Sequence, residues 1–571
     1  QDNFLIMKKF KIGKPLFLII FLGIILIIPS IIPLFKAKFF RMHDYTHVAR
    51  LVEMDKALKD GHFPVRWAED LGWGYGMPLF NFYGPLPYYL AEVFHLLGFS
   101  FLNSIKIIFG STFFLAFGGM FLLGRKFWGN WPGFLAGLAF VYSPYRSVDF
   151  YARGALGELL AISLIPWVLW GVTEVIDKKK QRAIALNSIL LALVLLAHTV
   201  LDLICLPLFI IFALFYLLIS KKIEKKEKDI KINFLALILS FVLGVSLACF
   251  FLLPAFLEKD FTRVGELTGG YSHYSHHFLY FRQFVSGRWG YGGSIDGPND
   301  GLAFILGKVH LFLAVLTLIT ALFVGSKKVD KKVLMVLFFT LLALLLAFLS
   351  TYKSKFIWDL IPLMAFIQFP WRFNSFIIVV VAFLTGGIGF YLGKFINKKV
   401  ALVFIFIFTV LIIKTNLHYF QPQGYVNPDE FYYTDEKQIR WGISGIIPDY
   451  IPRWMQKEPK EMVEGDYQVI DGNPEIEIIE NKTQKIVLKV KSEDNFKIQF
   501  NRFYFPGWRL LVDNKKINFE YKDNNGIIWA DIPEGKHKIE LIFKRTWIRL
   551  LAEFISLVSF IIIWKLLISK R

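Results

Sequence analysis

Cysteine is nearly absent. The 571 residues hold two, Cys205 and Cys249, both inside apolar runs, which leaves neither a disulfide framework nor a cysteine-based zinc site. Charge is also scarce, 19% Asp, Glu, Lys and Arg where soluble domains carry about 25%. That excludes a disordered chain and argues against a soluble enzyme. No H-E-x-x-H helix accompanies His273, His276 and His277 in GGYSHYSHHF, so no zinc site is expected there. No small-x-small cleavage site follows the first apolar run, Pro15 to Phe35, which is longer than a signal-peptide core and reads as a signal anchor. The six residues before Met7 are set aside from the fold.

What is present is apolar: 55% of residues are hydrophobic and 17% aromatic, with a mean hydropathy of +0.49. The apolar residues gather into runs of the length that crosses a hydrocarbon core. After the first run they fall near 102–123, 131–146, 159–176, 183–219, 233–256, 303–325, 333–350, 373–393, 400–416 and 548–568. One helix over 183–219 would be about 55 Å long, nearly twice a bilayer core, so that run divides near His198 to Asp202. The fold class expected is a polytopic α-helical membrane protein of about twelve transmembrane helices.

The net charge of +20 would suggest nucleic acid in a soluble chain. Here the basic residues lie between apolar runs and act as orientation signals, so no nucleic-acid partner is expected. If MKKFKIGK is inside, every second loop is basic: Arg125-Lys126, DKKKQR (177–182), KKIEKKEK (221–228), KKVDKK (327–332), Lys398-Lys399 and Lys570-Arg571. This parity predicts a cell (cytoplasmic or inner) membrane protein with both termini cytoplasmic. The outside segments are then 36–101, 147–158, 198–202, 257–302, 351–372 and 417–547.

Within 417–547, apolar residues alternate at period two in EIEIIE, KIVLKV, FKIQF, WRLLVD and KIELIF. That predicts an external, sandwich-like antiparallel β domain over 417–547, between a membrane domain at 7–416 and a final span at 548–571. Asp523-Asn524-Asn525-Gly526 and Pro533-Glu534-Gly535 are the expected hairpin turns.

The candidate chemistry lies in the outside segments. His43, His47 and Arg50 are spaced i, i+4, i+7, one face of a helix, with Asp44 adjacent. They form either a reactive cluster or the solvated face of an interfacial helix. His198 and Asp202, again i, i+4, are read as facing a water-filled cavity rather than lipid, since a charge near the bilayer centre costs about 2.5–3.5 kcal/mol. A hydrogen bond closing a helical hairpin explains them equally well. Arg153 and Glu158 in YARGALGELL form a loop ion pair or part of a site. Arg372 in QFPWRF either clamps a lipid phosphate or anchors a helix end beside Trp371. The Gly- and aromatic-rich 257–302 segment is expected to cover a sugar or lipid site.

HDYTHVAR, GHFPVRW and GYGMPLFNFYGPLPYYL resemble the prokaryotic 6-pyruvoyl-tetrahydropterin-synthase-related membrane protein family. The whole plan is similar to the YfhO-like membrane proteins and the GT-C class of glycosyltransferases, and NRFYFPGWRLLVDNKK resembles the external β module of the YfhO-like group. The resemblance implies a membrane glycosyltransferase that moves a sugar from a polyprenyl-phosphate donor to a lipid, glycan or protein acceptor. Asp44 matches the first-loop acid and is the expected base, with His43 and His47 beside it. Arg50, Arg66, Arg153, Glu158, His198, Asp202 and Arg372 are the expected donor-binding residues. No cofactor is required; a divalent metal is possible but not demanded. A transporter or flippase for envelope lipids or glycans, or a noncatalytic scaffold, are the alternatives.

Overall fold

The computed structural model describes residues 14–178, 180–224, 230–326, 329–426 and 430–569. Ten helices among them are long and apolar enough to cross a membrane: Leu16–Phe35, Phe101–Trp128, Leu156–Lys178, Thr199–Lys221, Ile230–Leu247, Lys308–Gly325, Lys331–Leu349, Pro370–Phe395, Lys398–Tyr419 and Trp547–Ile568. The other two of the twelve expected spans are shorter, for local reasons. Asn130–Val141 is followed by Ser143-Pro144, which imposes extended backbone, and a π-turn then carries the chain to Arg153. Gln181–Ala197 ends where His198 turns extended, the predicted break. Helix starts follow the sequence: Ser100, Asp330 and Asn397 each accept an N–H of the first turn.

One end of the bundle gathers basic-loop residues, where Lys126 pairs with Glu174 and Asp177, both at 2.8 Å, and Lys331 also reaches Asp177. The other end carries the β module and every cavity-lining loop. Among the basic signals, 7–13, Lys179, 225–228, Lys327-Lys328 and Lys570-Arg571 lie outside the described residues.

Two short strands, β1 (Phe39–Phe40) and β2 (Tyr425–Val426), pair antiparallel and tie the first loop to the chain leaving the Lys398–Tyr419 helix. The β module then comprises β3 (Tyr467–Asp471), β4 (Glu475–Lys482), β5 (Lys485–Ser492), β6 (Phe496–Phe503), β7 (Trp508–Val512), β8 (Lys515–Ile517), β9 (Ile527–Ile532) and β10 (Gly535–Phe543). They form a five-stranded sheet, β4-β5-β10-β7-β8, and a three-stranded sheet, β3-β6-β9. Leu488 opposite Ile539 in the first, and Ile498 opposite Ala530 in the second, belong to one buried core.

Two differences from expectation have physical causes. The strands begin at Tyr467, because 430–451 follows a helical rather than an alternating pattern: Ile439, Ile443, Ile447 and Ile451, four residues apart, are all buried. Asn525 and Gly526 do take positive φ in a tight turn closed by Glu520 and Trp529. Pro533-Glu534-Gly535, in contrast, joins β9 to β10, which lie in different sheets, so it is a crossover and not a hairpin.

The module is pinned to the membrane body by buried polar contacts. Arg502 on β6 pairs with Glu69 and, at 3.1 Å, with Asp466. Thr483 donates its N–H and hydroxyl to Asp60 at 2.7 and 2.6 Å. Arg549, at the start of the last helix, donates twice to Glu258 at 3.0 Å.

Candidate functional site

Six separated segments converge on one cavity of about 680 Å³ at the β-module end. The first is the loop after the first span. Its backbone is zipped onto the π-turn, His43 N–H donating to Ala152 O at 2.9 Å and Asp44 N–H to Arg153 O at 2.8 Å. Gly154, in the left-handed conformation at φ 65°, lets this contact close, since a Cβ there would lie 2.1 Å from the Met42 sulfur. The helix begins only at His47, so His43 lies before it and does not share a helical face with His47 and Arg50 as their spacing suggested.

His43 and Asp44 both line the cavity. Asp44 Oδ1 accepts from Thr46 Oγ1 at 3.0 Å and Arg50 Nη1 at 2.9 Å; Oδ2 accepts from Arg50 Nη1 at 3.0 Å and the Tyr83 hydroxyl at 3.2 Å. Burial pushes this carboxyl up, but the charges of Arg50 and His47 outweigh burial and hold it well below the usual carboxylate range. Arg50 lies over the Tyr83 ring, 4.3 Å from its centroid. His47 is behind the wall, not on it: it is fully buried, bonded to the Tyr88 hydroxyl at 2.8 Å and Gly154 O at 2.6 Å. Its ordered role is to hold the two loops together.

A second cationic group enters from the π-turn and the 351–372 segment. Arg153 pairs with Asp149 and with Glu158 Oε2 at 2.9 Å, and stacks on Trp371 at 4.6 Å. Arg372 Nη1 donates to Ile367 O at 2.7 Å and Gln368 Oε1 at 2.8 Å, with Nε 3.5 Å from Glu158. Gln368 reaches this position with φ at 64°, a strained conformation for a residue with a side chain. Arg153 and Arg372 line the cavity; Glu158 does not, and serves as their buried counter-ion, also accepting from Ser375 at 3.1 Å. Trp371 is 2% exposed and packs on Phe304 and Phe369, so it is not an interfacial anchor.

The floor is the helix break at 197–202. Ala197 O presses on Gly84 and Gly157, where a Cβ would come within 2.4 and 2.6 Å. His198 and Asp202 both face the cavity but make no bond to each other: His198 Nδ1 accepts from Leu201 N–H at 3.2 Å, and neither Asp202 oxygen has a partner among the described residues. The hairpin-closing bond is thus not formed. One wall is apolar, from Leu203, Leu252, Phe256, Leu363 and Phe366, and Lys259 lies over the rings of Phe256 and Phe366 at 5.3 and 4.9 Å.

Arg66 is elsewhere. It donates to Asn81, Phe250 O and Glu553, tying the first loop to the last helix, because its guanidinium finds carboxylate and carbonyl acceptors there. Of the 257–302 segment, only Lys259, Val264, Leu267 and Thr268 line the cavity; His277 is bonded to Ser294 and Tyr271 O. No group of three or more His, Cys, Asp or Glu among the described residues is placed to hold a metal ion.

Sequence reasoning missed Tyr83, Lys259 and the turn Pro448–Tyr450. Asp449 and Tyr450 line the cavity beside the first external segment, with Tyr450 stacked on Phe82 at 5.8 Å and edge-on to Tyr83 at 6.3 Å. Burial raises the Asp449 carboxyl, Arg50 pulls it down and the Asp44 charge raises it, with a net rise above its ordinary value. The fourfold isoleucine spacing around it was the available signal.

Comparison with known proteins assigns part of the chain. Residues 80–283 match the 6-pyruvoyl-tetrahydropterin synthase related domain, a membrane-protein family. That stretch holds Arg153, Glu158, His198 and Asp202, while Asp44 precedes it and Arg372 follows. An uncharacterized protein of Lactococcus lactis subsp. cremoris (strain MG1363) is 26% identical over 229 residues, 39% of this chain and 36% of its own length. The chain thus spans about a third of that relative. Among solved structures, the mycobacterial arabinofuranosyltransferase AftD aligns with 72% of this chain and 27% of its own at 14% identity and a TM-score of 0.46. The Archaeoglobus fulgidus oligosaccharyltransferase tethered with an acceptor peptide aligns with 79% and 61% at 12% identity and a TM-score of 0.45.

Proposed function

We propose that this chain, carrying the 6-pyruvoyl-tetrahydropterin synthase related membrane domain over 80–283, is a membrane glycosyltransferase that takes a sugar from a polyprenyl-phosphate donor and passes it to a hydroxyl-bearing acceptor at the external face. One observation carries the reading: a single cavity joins an apolar wall of Leu203, Leu252, Phe256, Leu363 and Phe366 to a polar interior with Arg50, Arg153, Arg372, Asp44, Asp202 and Asp449. A molecule with an isoprenoid tail, a phosphate and a polyhydroxyl head matches that sequence of surfaces.

The guanidiniums bind the phosphate oxygens and stabilise the charge that grows as the phosphate leaves, and they require no cofactor to do so. The carboxylates accept from sugar and acceptor hydroxyls, one of them taking the acceptor proton. Asp44, already engaged with Arg50, orients that guanidinium.

The test uses the purified, reconstituted protein with polyprenyl-phosphate mannose, glucose and arabinose as probes. Arg372→Ala is expected to raise the donor KM about 10- to 100-fold, the worth of one charged hydrogen bond, and Arg372→Lys to raise it less, because an ammonium cannot bind two oxygens in a plane. Unchanged donor kinetics in Arg372→Ala would remove it from the donor site. Saturable binding of polyprenyl phosphate without turnover of any sugar would favour lipid transport instead.

A further inference from the structure

A carboxylate offers about four acceptor directions, and Asp44 spends its own on Thr46, Arg50 twice and Tyr83. A base must come within about 2.6–3.2 Å of the proton it removes, so an incoming hydroxyl reaches Asp44 only by displacing a partner. Asp449 is free of that constraint. It lines the same cavity, and among the described residues no hydrogen bond or ion pair engages its side chain.

Its position is nonetheless fixed. The Pro448–Tyr450 turn is closed by Ile451 N–H donating to Pro448 O at 3.2 Å, and Arg263 N–H donates to Ile451 O at 3.1 Å. Tyr450, the next residue, is wedged against Phe82 and Tyr83, which sets Asp449 on the cavity wall beside the tyrosine that also meets Asp44 and Arg50.

Resting on the transfer reading above, we infer that Asp449 is a catalytic residue, the base that receives the acceptor proton, and that Asp44 is a positioning residue for Arg50. The step balances. The acceptor oxygen forms its bond to the anomeric carbon while its proton passes to the Asp449 carboxylate. The bond from the anomeric carbon to the phosphate oxygen breaks, and its electron pair leaves with the polyprenyl phosphate, held by the arginines. The raised affinity of Asp449 for a proton suits a base better than the low value of Asp44. The base then comes from the segment that leads into the β module.

The experiment measures kcat and donor KM in the reconstituted full chain, with the three polyprenyl-phosphate sugars and an octyl glycoside acceptor, alongside binding of polyprenyl phosphate alone. Asp449→Asn is expected to lower kcat about 10²- to 10⁴-fold with donor KM and polyprenyl-phosphate binding within about twofold of wild type, and Asp449→Glu to recover part of kcat. Asp44→Asn is expected to raise donor KM. A kcat for Asp449→Asn within threefold of wild type, or equal loss of kcat and lipid binding without rescue by Glu, overturns the assignment. Wild-type protein that turns over none of the donors overturns the transfer reading itself.

Discussion

Asp44 and Asp449 show how one residue type acquires two characters from its neighbours. The first is pinned by an arginine, a threonine and a tyrosine; the second lines the cavity beside the Phe82–Tyr450 stack. Glu92 is a third case, outside the cavity. Burial and the adjacent Asp55 carboxylate push it up to about 7. The folded chain therefore holds this proton more tightly than the unfolded chain does, so its stabilising contribution is complete below the ordinary glutamate value and is lost as pH rises to about 7. Glu92→Gln is expected to raise the melting temperature at pH 8, by about 1 kcal/mol of stability, and to give no gain at pH 4. An equal shift at both pH values would place Glu92 outside this linkage. Of the residues singled out in the sequence, Asp44, Arg153, His198, Asp202 and Arg372 line the cavity, and only His198 and Asp202 were marked for one by interrupting an apolar run. The sequence misplaced Arg66 and His47, since a charged residue in a motif looks the same whether it faces a ligand or a buried carboxylate.

At the scale of elements, the site depends on a helix break. His198 turns extended between the helices Gln181–Ala197 and Thr199–Glu224, and the Ala197 carbonyl lies on Gly84 and Gly157. Run length predicted this break, because a single helix would overshoot the bilayer; its packing partners were not legible, since nothing local marks which glycines a distant carbonyl will touch. Gly157→Ala is expected to cost about 1–3 kcal/mol through overpacking and to weaken polyprenyl-phosphate binding by displacing His198 and Asp202. Unaltered stability and binding would show that the contact yields without moving the floor. Alternation likewise revealed β4, β5, β6, β7 and β10 but not β3, β8 or β9, and the isoleucines at 439, 443, 447 and 451 keep a helical period inside a stretch otherwise punctuated like a β domain.

At the scale of the whole molecule, the β module is held to the membrane body by buried charge, not by a flexible tether. Arg502 is fully buried between Glu69 and Asp466. Arg502→Met leaves Glu69 short of a partner, a change that typically costs about 3–5 kcal/mol, and is expected to speed protease cleavage within 425–466 while the helices stay folded. Restoration by the double change Arg502→Met with Glu69→Leu would locate the cost in the abandoned charge; a proteolysis rate equal to wild type in Arg502→Met would show that the other attachments suffice. The same contacts have a consequence for biosynthesis. The first loop leaves the ribosome early, yet Glu69 waits for Arg502, Asn81 for Glu258, Arg66 for Glu553 and Phe39-Phe40 for Tyr425-Val426. The contacts of the first loop are therefore complete only when nearly the whole chain has been synthesised and its final helix inserted, and a copy that stops before residue 448 holds Arg50, Arg153 and Arg372 without the Pro448–Tyr450 turn that lines the cavity with them.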